Sequence, residues 1–231
     1  MSSISVIVPA LDESQGIAAT LAALAPLRAR GAELIVVDGG SRDATREIAA
    51  PLCDRVLEAP RGRAAQMNAG ASASRGEILV FLHADSRLPE GALEAIESAF
   101  AAGRRAWGRF DVAIEGRSPL LAVVACAMNL RSRLTGIATG DQAIFVRREA
   151  FTRVGGFPPI PLMEDVAISS ELKKVSRPAC LAERVTTSGR RWESRGVLAT
   201  VALMWRLRFA YALGADPHRL ARRYDAGRPA S

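Results

Sequence analysis

Three short polar segments of this sequence follow apolar runs and carry side chains suited to chemistry. They are His83-Ala84-Asp85, Asp38-Gly39-Gly40-Ser41 and the segment from Pro9 to Glu13. A carboxylate such as Asp85 suits a divalent cation that also binds phosphate oxygens. The carboxylate of Asp38 can accept hydrogen bonds from the N–H groups of a base, and the glycines after it let the backbone approach a ligand. Together these segments predict a site for a phosphorylated nucleotide.

The elements that would position these segments are three short strands. Residues 4–8, 33–37 and 78–82 are apolar runs of the kind buried on both faces of a parallel sheet. Helical patterns separate them at residues 14–30, with Ser14 as the expected N-cap, and at 43–52 and 64–74. The alternation predicts an α/β fold with a mostly parallel central sheet flanked by helices. Ligands of such sheets bind beyond the carboxyl ends of the strands, so the three segments are expected to share one site.

The rest of the chain predicts more elements of both kinds and a C-terminal helical appendage. Further strands and helices are expected at residues 55–58, 89–102, 106–115, 142–147, 166–174, 184–187 and 196–214. The polar tail from Asp216 to Ser231 is expected to be loosely ordered.

Chain length predicts a single domain, because 231 residues suffice for one sizeable core. We expect residues 1–103 to form a nucleotide-binding half and residues 104–195 to form an acceptor-binding half. Residues 196–231 would then be a C-terminal helical segment and tail.

The charge is strongly basic, with a formal net charge of +7 and with Lys173 and Lys174 as the lysines among 31 basic residues. Arginine binds phosphate in a bidentate way, so this composition fits a polyanionic small molecule or an anionic membrane face. The basic residues are scattered and aromatic residues make up 5% of the chain, and no nucleic-acid-binding motif is found. We therefore expect no nucleic-acid partner.

Cysteines and hydropathy predict a cytoplasmic location. Cys53, Cys126 and Cys180 are odd in number and far apart, as is usual for free thiols in a reducing compartment. No secretion signal is recognisable. The longest uncharged run, residues 118–130, is shorter than the roughly 20 residues that span a bilayer.

Two acidic positions in the second half are candidates for a general base. Glu164-Asp165 follows a rigid segment rich in glycine and proline, and Asp141 lies just before a predicted strand. Either position also has a structural interpretation, since acids in a first helical turn favour the helix dipole and aspartate is common in turns. Neither a Gly-x-Gly-x-x-Gly nor a P-loop motif is present, which removes the main support for dinucleotide and P-loop sites.

An ordered set of motifs resembles family 2 glycosyltransferases of the GT-A fold, a Rossmann-like α/β fold. The resemblance covers roughly residues 4–195 and includes the second-half motifs in the family's order. Its motifs are Val6 to Glu13, Val36 to Thr45, Arg63 to Gly70, His83 to Asp85, Gly140 to Arg148, Gly155-Gly156-Phe157 and Met163-Glu164-Asp165.

The resemblance implies a role for each matching position. A nucleotide-sugar donor would lie along a set of residues from the first half. These are Pro9, Ala10, Leu11 and Glu13 at the nucleoside, Asp38 and Gly39 at the base, Arg61, Arg63, Gln66 and Asn68 near the diphosphate, and His83, Ala84 and Asp85 at the sheet edge. Asp85 would coordinate Mn²⁺ or Mg²⁺. Asp165 would be the catalytic base, with Glu164 beside it.

The reaction implied is inverting transfer of a hexosyl-type sugar from a UDP- or GDP-sugar to a hydroxyl acceptor. A base takes the acceptor proton, and a cation or arginine stabilises the departing diphosphate. One departure from the family pattern is that His83 replaces the first aspartate of Asp-x-Asp, and a neutral imidazole suits Mn²⁺ better than Mg²⁺. His83 could instead bind ribose or phosphate, or be structural. A late histidine, His218, is a second candidate for the metal.

The C-terminal part carries two further hypotheses. Arg191 and Trp192 lie in a segment that we interpret either as a loop closing over the donor or as a solvated turn with a packing tryptophan. Residues 196–214 are interpreted as a docked helix, with interfacial membrane contact as the alternative. Such contact would place the enzyme at the inner face of the membrane with a lipid-linked acceptor, whereas a docked helix leaves a small-molecule acceptor open.

Two other functional classes are alternatives to a glycosyltransferase. A sugar-phosphate nucleotidylyltransferase would share a related sheet, but it is expected to carry a glycine-rich basic loop after the first strand, and Pro9 to Gly16 lacks one. A non-catalytic nucleotide-sugar-binding protein, altered at His83, would bind the donor without turnover.

Overall fold

The computed structural model describes residues 3–225, and in this part of the chain eight strands form one sheet. The sheet order is β3-β2-β1-β4-β7-β6-β8-β5. The strands are β1 (Ile4–Ala10), β2 (Glu33–Asp38), β3 (Arg55–Glu58), β4 (Ile78–Phe81), β5 (Ser86–Arg87), β6 (Trp107–Glu115), β7 (Ile144–Arg147) and β8 (Ala179–Ser188).

Strand pairing divides the sheet into a parallel and a mixed part. Strands β3, β2, β1 and β4 pair in parallel, with Val8 opposite Val36 and Ile7 opposite Phe81. Beyond them, β7 is antiparallel to β4 and β6, β8 is parallel to β6, and β5 is antiparallel to β8. Four of these seven pairings are parallel, so the predicted α/β fold with a mostly parallel sheet is confirmed.

Helices cover both faces of the sheet. They are α1 (Ile17–Ala29), α2 (Thr45–Ala49), α3 (Arg63–Ala73), α4 (Ala92–Ala101), α5 (Leu120–Thr135), α6 (Arg148–Arg153), α7 (Glu164–Val175), α8 (Arg190–Arg195), α9 (Val197–Ala212) and α10 (Pro217–Asp225). Two single 3₁₀ turns lie at Ala50–Leu52 and Gly140–Gln142.

Alternation along β1 explains why nearly all of its residues are apolar. Val6 and Val8 belong to the core on one face, together with Leu21 of α1. Ile7 belongs to the core on the other face, together with Met67 of α3. Because water reaches neither face, every position of the strand gains from an apolar side chain.

Gly70 lets α3 approach the sheet closely. A Cβ at this position would lie 2.5 Å from Cγ2 of Ile7 and 3.0 Å from Cγ2 of Val37. The small-residue composition of α3 is therefore a packing requirement. The close approach also brings the polar side chains of α3 to the carboxyl edge of the parallel strands.

Several boundaries differ from the sequence predictions. Helix α1 begins at Ile17 after Gly16 without a side-chain cap, so the expected N-cap role of Ser14 is wrong. The Ser14 N–H instead binds Asp43, because the loops after β1 and β2 lie together. Strand β8 extends well beyond residues 184–187, and α6 was not predicted.

The C-terminal part is more ordered than expected. Pro217–Asp225 is a helix, so the predicted loose tail is wrong over that range, while residues 226–231 lie outside the described part. His218 lies in the first turn of this helix. Leu207 of α9 and Leu220 of α10 pack with Leu162 and Met163 in a small apolar cluster of their own. The helical appendage is thereby docked next to the start of α7.

Helices α5 and α9 expose several large apolar side chains. Among residues 3–225, no helix has both the length and the hydropathy required to cross a bilayer. The most exposed of these side chains are Val123, Leu134, Leu198, Trp205, Phe209 and Leu213, with 65% to 77% of their surface accessible.

Candidate active site

The loops after β1 and β2 are cross-linked by hydrogen bonds and form one rim of the site. The Asp12 N–H donates to Ser41 Oγ over 2.9 Å, and the Arg42 N–H returns a bond to Asp12 Oδ1 over 2.8 Å. The Glu13 N–H donates to Thr45 Oγ1 over 2.8 Å. The polar segments predicted to converge after these two strands do lie together.

Asp38 is completely buried, and its carboxylate is engaged by its own loop. Its Oδ2 accepts hydrogen bonds from the N–H groups of Gly40 and Ser41, each 2.9 Å long, and its Oδ1 accepts one from the Ser41 hydroxyl. Burial of a carboxylate is offset when N–H and O–H donors bind it. Asp38 therefore shapes the loop after β2, and its contact with a nucleotide base stays a prediction.

Gln66 and Asn68 use their amides inside the fold. Gln66 Nε2 donates to the carbonyls of Ala10 and Val37, both at 2.8 Å, and so bridges the ends of β1 and β2. Asn68 Nδ2 donates to the Phe157 carbonyl over 2.8 Å, and Asn68 Oδ1 accepts from the Phe157 N–H over 2.9 Å. Both residues hold backbone segments that line the site, whereas the sequence predicted that they lie near the diphosphate.

Gly39 and Ala84 are buried at this edge, and Arg61 is exposed. Gly39 is buried against the Gln66 amide, at a distance that leaves little room for a Cβ. The buried Ala84 contributes its carbonyl, which accepts a 2.6 Å hydrogen bond from the Thr20 hydroxyl. Arg61 is exposed just before α3.

Asp85 and Glu13 form a pair of carboxylates at the edge. Burial raises the pKa of Glu13, and the charge of Asp85 raises it further. Arg190 and Arg191 oppose the shift, and Arg190 Nη2 lies 3.5 Å from Glu13 Oε2. The excess of negative charge on these two side chains is what a cation would neutralise. The buried end of β1 lies just before Glu13 in the chain and carries Pro9 and Ala10, with Leu11 following the strand.

His83 is held between two residues of the segment before β7. Its Nδ1 lies 3.2 Å from Asp141 Oδ1, and a Cβ added at Gly140 would lie 2.3 Å from its Nε2. Burial acts to raise the pKa of Asp141, but His83, Arg63 and Arg191 outweigh it and lower that pKa to about 2. Asp141 is therefore a carboxylate partner of the imidazole, and only glycine fits beside it at position 140.

Glu164 and Asp165 open α7 but have different surroundings. Asp165 is half-buried and accepts hydrogen bonds from the N–H groups of Gly140, at 3.0 Å, and Val166, at 2.8 Å. Glu164 is buried 3.6 Å from Arg63 Nη1, and burial followed by the charge of Asp165 raises its pKa. Asp165 thus accepts two backbone hydrogen bonds, while Glu164 is the carboxyl whose pKa is raised by burial.

Arg63 lies among these carboxylates. Burial acts to lower its pKa, but Glu164, Asp141 and Asp165 are among the groups whose negative charge raises it overall. Its guanidinium is therefore held fully charged beside the crevice that His83, Gly140, Glu164 and Asp165 line.

Arg191 and Trp192 belong to helix α8, so the alternative that this segment is a loop is wrong. Arg191 Nη1 donates to the Tyr224 hydroxyl over 2.8 Å, and the guanidinium lies 5.9 Å from the centre of that ring. Trp192 is half-buried. Helix α8 connects two parts of the molecule, because Arg190 contacts Glu13 at the edge of the sheet and Arg191 contacts Tyr224 of α10. Tyr224 belongs to the segment that was expected to be loosely ordered.

Solved structures with a similar fold are GT-A glycosyltransferases. S. aureus TarS 1-349 in complex with UDP-GlcNAc has a TM-score of 0.66 at 18% identity, covering 81% of this chain and 59% of that one. Mannosyltransferase PcManGT from Pyrobaculum calidifontis, in complex with GDP-Man and Mn²⁺, has a TM-score of 0.65 at 21% identity, covering 94% and 66%. Glucosyl-3-phosphoglycerate synthase from Mycobacterium tuberculosis has a TM-score of 0.63 at 18% identity. The match covers 86% of this chain and 76% of that one.

A family model identifies the class of enzyme. Residues 5–151 match the model described as glycosyl transferase family 2, which is more than half of the 231 residues. The chain belongs to this family, as its motifs predicted. It spans less than two thirds of the length of the TarS structures that it resembles. Comparison with curated protein sequences found no significant match.

Sequence reasoning missed several residues around the site. Arg190 contacts Glu13, Gly140 packs against His83, and Arg131 lies near Asp165. Gly140 was part of a recognised motif, but its contact with an imidazole 57 positions earlier has no local signal. Arg131 had a weak signal, since it is a charged residue in a mostly apolar helix.

Gly140→Ala tests whether His83 must occupy its observed position. The new Cβ would overlap the imidazole, so we expect His83 to move and nucleotide affinity to fall about tenfold, the effect of roughly 1.4 kcal/mol. Isothermal titration with UDP and GDP measures this. Gly16→Ala is the control, because nothing lies within 4 Å of its Cβ position. Wild-type affinity in Gly140→Ala would remove His83 from the donor site.

Proposed function

We propose that this enzyme transfers a sugar from a UDP- or GDP-sugar to a hydroxyl group of an acceptor, with inversion at the anomeric carbon. One observation carries the proposal. The half-buried Asp165 carboxylate and the His83 imidazole line the same crevice, although they come from motifs far apart in the sequence. The proposed base, Asp165, is thereby held next to His83, at the sheet edge where family membership predicts the nucleotide-sugar donor.

The proposed donor site uses the first half of the chain, residues 1–103. The nucleoside would lie along Pro9, Ala10, Leu11 and Glu13, with Asp38 and Gly39 at the base. The structures of TarS with UDP-GlcNAc and of PcManGT with GDP-Man support uridine and guanosine donors as the first candidates. Residues 104–195 would then supply most of the acceptor side, including Asp141, Asp165 and the helix with Arg191 and Trp192.

The diphosphate would be bound by arginines at the edge. Arg61 is exposed before α3, and Arg63 opens that helix among the carboxylates. Arg190 is exposed beside Glu13. A guanidinium binds phosphate oxygens with two parallel hydrogen bonds, and its charge offsets the charge that grows on the departing diphosphate.

A divalent cation fits this edge through Asp85. Within residues 3–225, no cluster of three or more His, Cys, Asp or Glu side chains is arranged to hold a metal. The paired charges of Asp85 and Glu13 are nevertheless a suitable donor set, because Mg²⁺ is often bound by one or two carboxylates together with substrate phosphates. When bound, Mn²⁺ or Mg²⁺ would neutralise charge on the diphosphate.

Asp165 is proposed as the general base and Glu164 as its positioning partner. Asp165 would take the proton of the acceptor hydroxyl, whose oxygen forms the new bond to the anomeric carbon. The bond from that carbon to the diphosphate breaks on the opposite side, and its electron pair leaves with the diphosphate. A single displacement of this kind inverts the anomeric carbon. Glu164 holds Arg63, since the two lie 3.6 Å apart.

The proposed donor class can be tested by thermal unfolding with UDP, GDP, CDP and dTDP, each with and without Mn²⁺. Binding to the native state raises the melting temperature by mass action, so one nucleotide should give the largest rise and Mn²⁺ should increase it. In Asp85→Asn the increase due to Mn²⁺ should be lost. If no nucleotide raises the melting temperature, the donor site is misplaced.

The proposed base predicts that Asp165→Asn separates transfer from binding. The amide keeps an oxygen for the Gly140 N–H but cannot accept the acceptor proton, so we expect transfer to fall by about 10²–10⁴-fold. Nucleotide affinity should stay near the wild-type value. Glu171→Gln, a change of the same charge on the exposed face of α7, is the control. If Asp165→Asn retained transfer, the role of base would move to Asp141. If the wild-type protein bound the nucleotide sugar without turnover, the result would favour a non-catalytic binding protein.

We further propose that the exposed apolar side chains of α5 and α9 contact a membrane surface. Trp205 and Phe209 on α9, and Leu213 directly after it, are each at least 67% exposed, and aromatic residues favour the headgroup region. Contact of this kind would favour a lipid-linked acceptor over a small soluble one.

Co-sedimentation with phosphatidylglycerol vesicles tests the membrane contact. Wild-type protein should pellet with the vesicles, and a double variant with Trp205→Ser and Phe209→Ser should lose at least half of that binding, because its apolar contact area is reduced. A Glu171→Gln variant serves as the control. Wild-type protein that stays in the supernatant would contradict the proposal.

A further inference from the structure

Arg131 of α5 and Arg208 of α9 have buried N–H groups without partners. Arg131 Nε and Nη2 and Arg208 Nε are inaccessible to solvent and have no hydrogen-bond partner among residues 3–225. Burying an N–H group without a partner is unfavourable, and for a guanidinium the charge adds to the cost. Such groups in a native protein require a reason.

The two guanidiniums also repel each other. Burial, then the charge of Arg208, and also that of Arg109, lower the pKa of Arg131 to about 10, while Asp165 acts in the opposite direction. Arg109 itself is paired with Asp111, which Arg133 also contacts at 2.8 Å. Asp165 therefore offsets only part of the positive charge that Arg131 and Arg208 bring together.

The pair lies beside the proposed base. Leu203, Leu207 and Tyr211 of α9 pack in the same cluster as Met163 and Val166, which flank Glu164-Asp165. Tyr211 is one turn after Arg208 on α9, and burial followed by the charge of Asp165 raises its pKa. The side of α9 that carries Arg208 and Tyr211 is thus next to Asp165, on the acceptor side of the crevice.

We infer that Arg131 and Arg208 form an acceptor subsite for an anionic group of phosphate type, which places the acceptor among phosphate-bearing alcohols. This inference rests on the proposed sugar transfer at Asp165. A phosphate between the two guanidiniums accepts hydrogen bonds from both and neutralises their repulsion. An alcohol whose phosphate lies there would carry its hydroxyl on the side of α9 that faces Asp165. The phosphate belongs either to a soluble ester or to a lipid headgroup.

Titration with inorganic phosphate, followed by calorimetry, tests the subsite itself. The protein is first saturated with UDP and Mn²⁺, or with the nucleotide that stabilises it most, so that the donor site is filled; a parallel titration omits the nucleotide. Arg131→Gln and Arg208→Gln should each lower phosphate affinity at least tenfold. Arg206→Gln removes the same charge from an exposed position of the same helix and should bind as the wild type does.

Stability distinguishes this role from a structural one. Without phosphate, Arg131→Gln should melt at the same temperature as the wild type or higher, because a buried charge facing like charge has been removed. With phosphate, the wild type should gain stability and the variant should not. An arginine that only supports the fold would give a variant with a lower melting temperature in both conditions, which would overturn the inference.

The source of the phosphate is resolved with two further probes. Glycerol 3-phosphate is titrated in solution, with glycerol as the neutral control, and vesicles containing phosphatidic acid are compared with vesicles of phosphatidylcholine. Binding of either phosphate probe that depends on both Arg131 and Arg208 supports the subsite. Binding that is unchanged in both variants, or absent in the wild type, overturns it. The titration without nucleotide gives this answer even if the donor proposal fails.

Discussion

The hydrogen bond from the Gly140 N–H to Asp165 Oδ2, 3.0 Å long, is the contact on which the site depends. It joins the start of α7 to the segment before β7, which in turn packs against His83 at the end of β4. A side chain at position 140 would overlap the imidazole, so the segment can lie here only as glycine. Asp141 is then positioned within 3.2 Å of His83 Nδ1. Three segments distant in sequence thus share one geometry, which neither the sheet nor the helices alone would impose.

The sheet provides the second constraint, since it brings the loops after β1 and β2 to the same edge. Gln66 spans the ends of these strands with one amide, and Asn68 ties α3 to Phe157 with a reciprocal pair of hydrogen bonds. Both amides are satisfied by backbone groups, which makes the rim rigid before a ligand arrives. A rigid rim lowers the entropic cost of ordering a ligand, and catalysis requires that the reacting groups be held in place.

Charge is distributed unevenly over this frame, and the partners of each group explain why. Asp141 and Glu164 are both carboxylates in a poorly hydrated place, which by itself would raise the pKa of each. The imidazole of His83 and two arginines lower the pKa of Asp141. In contrast, the neighbouring charge of Asp165 adds to burial in raising the pKa of Glu164. The site therefore keeps one carboxylate firmly charged beside another that holds a proton more readily. On the far side, Arg131 and Arg208 repel each other, and the charge of Asp165 offsets only part of this repulsion.

The sequence by itself determined most of the elements, the α/β class, the family and the edge at which the polar segments meet. It could do so because runs such as residues 78–82 are buried on both faces, and because the motifs are local. The errors lie where a contact between distant segments decides. The Ser14 N–H binds Asp43 and Ser14 does not cap α1, and Tyr224 lies in a helix where a loose tail was predicted and contacts Arg191. Only the tertiary structure placed Gly140 against His83 and Arg131 beside Arg208. Periodicity and composition report on neighbours along the chain, whereas these contacts depend on how helices pack across it.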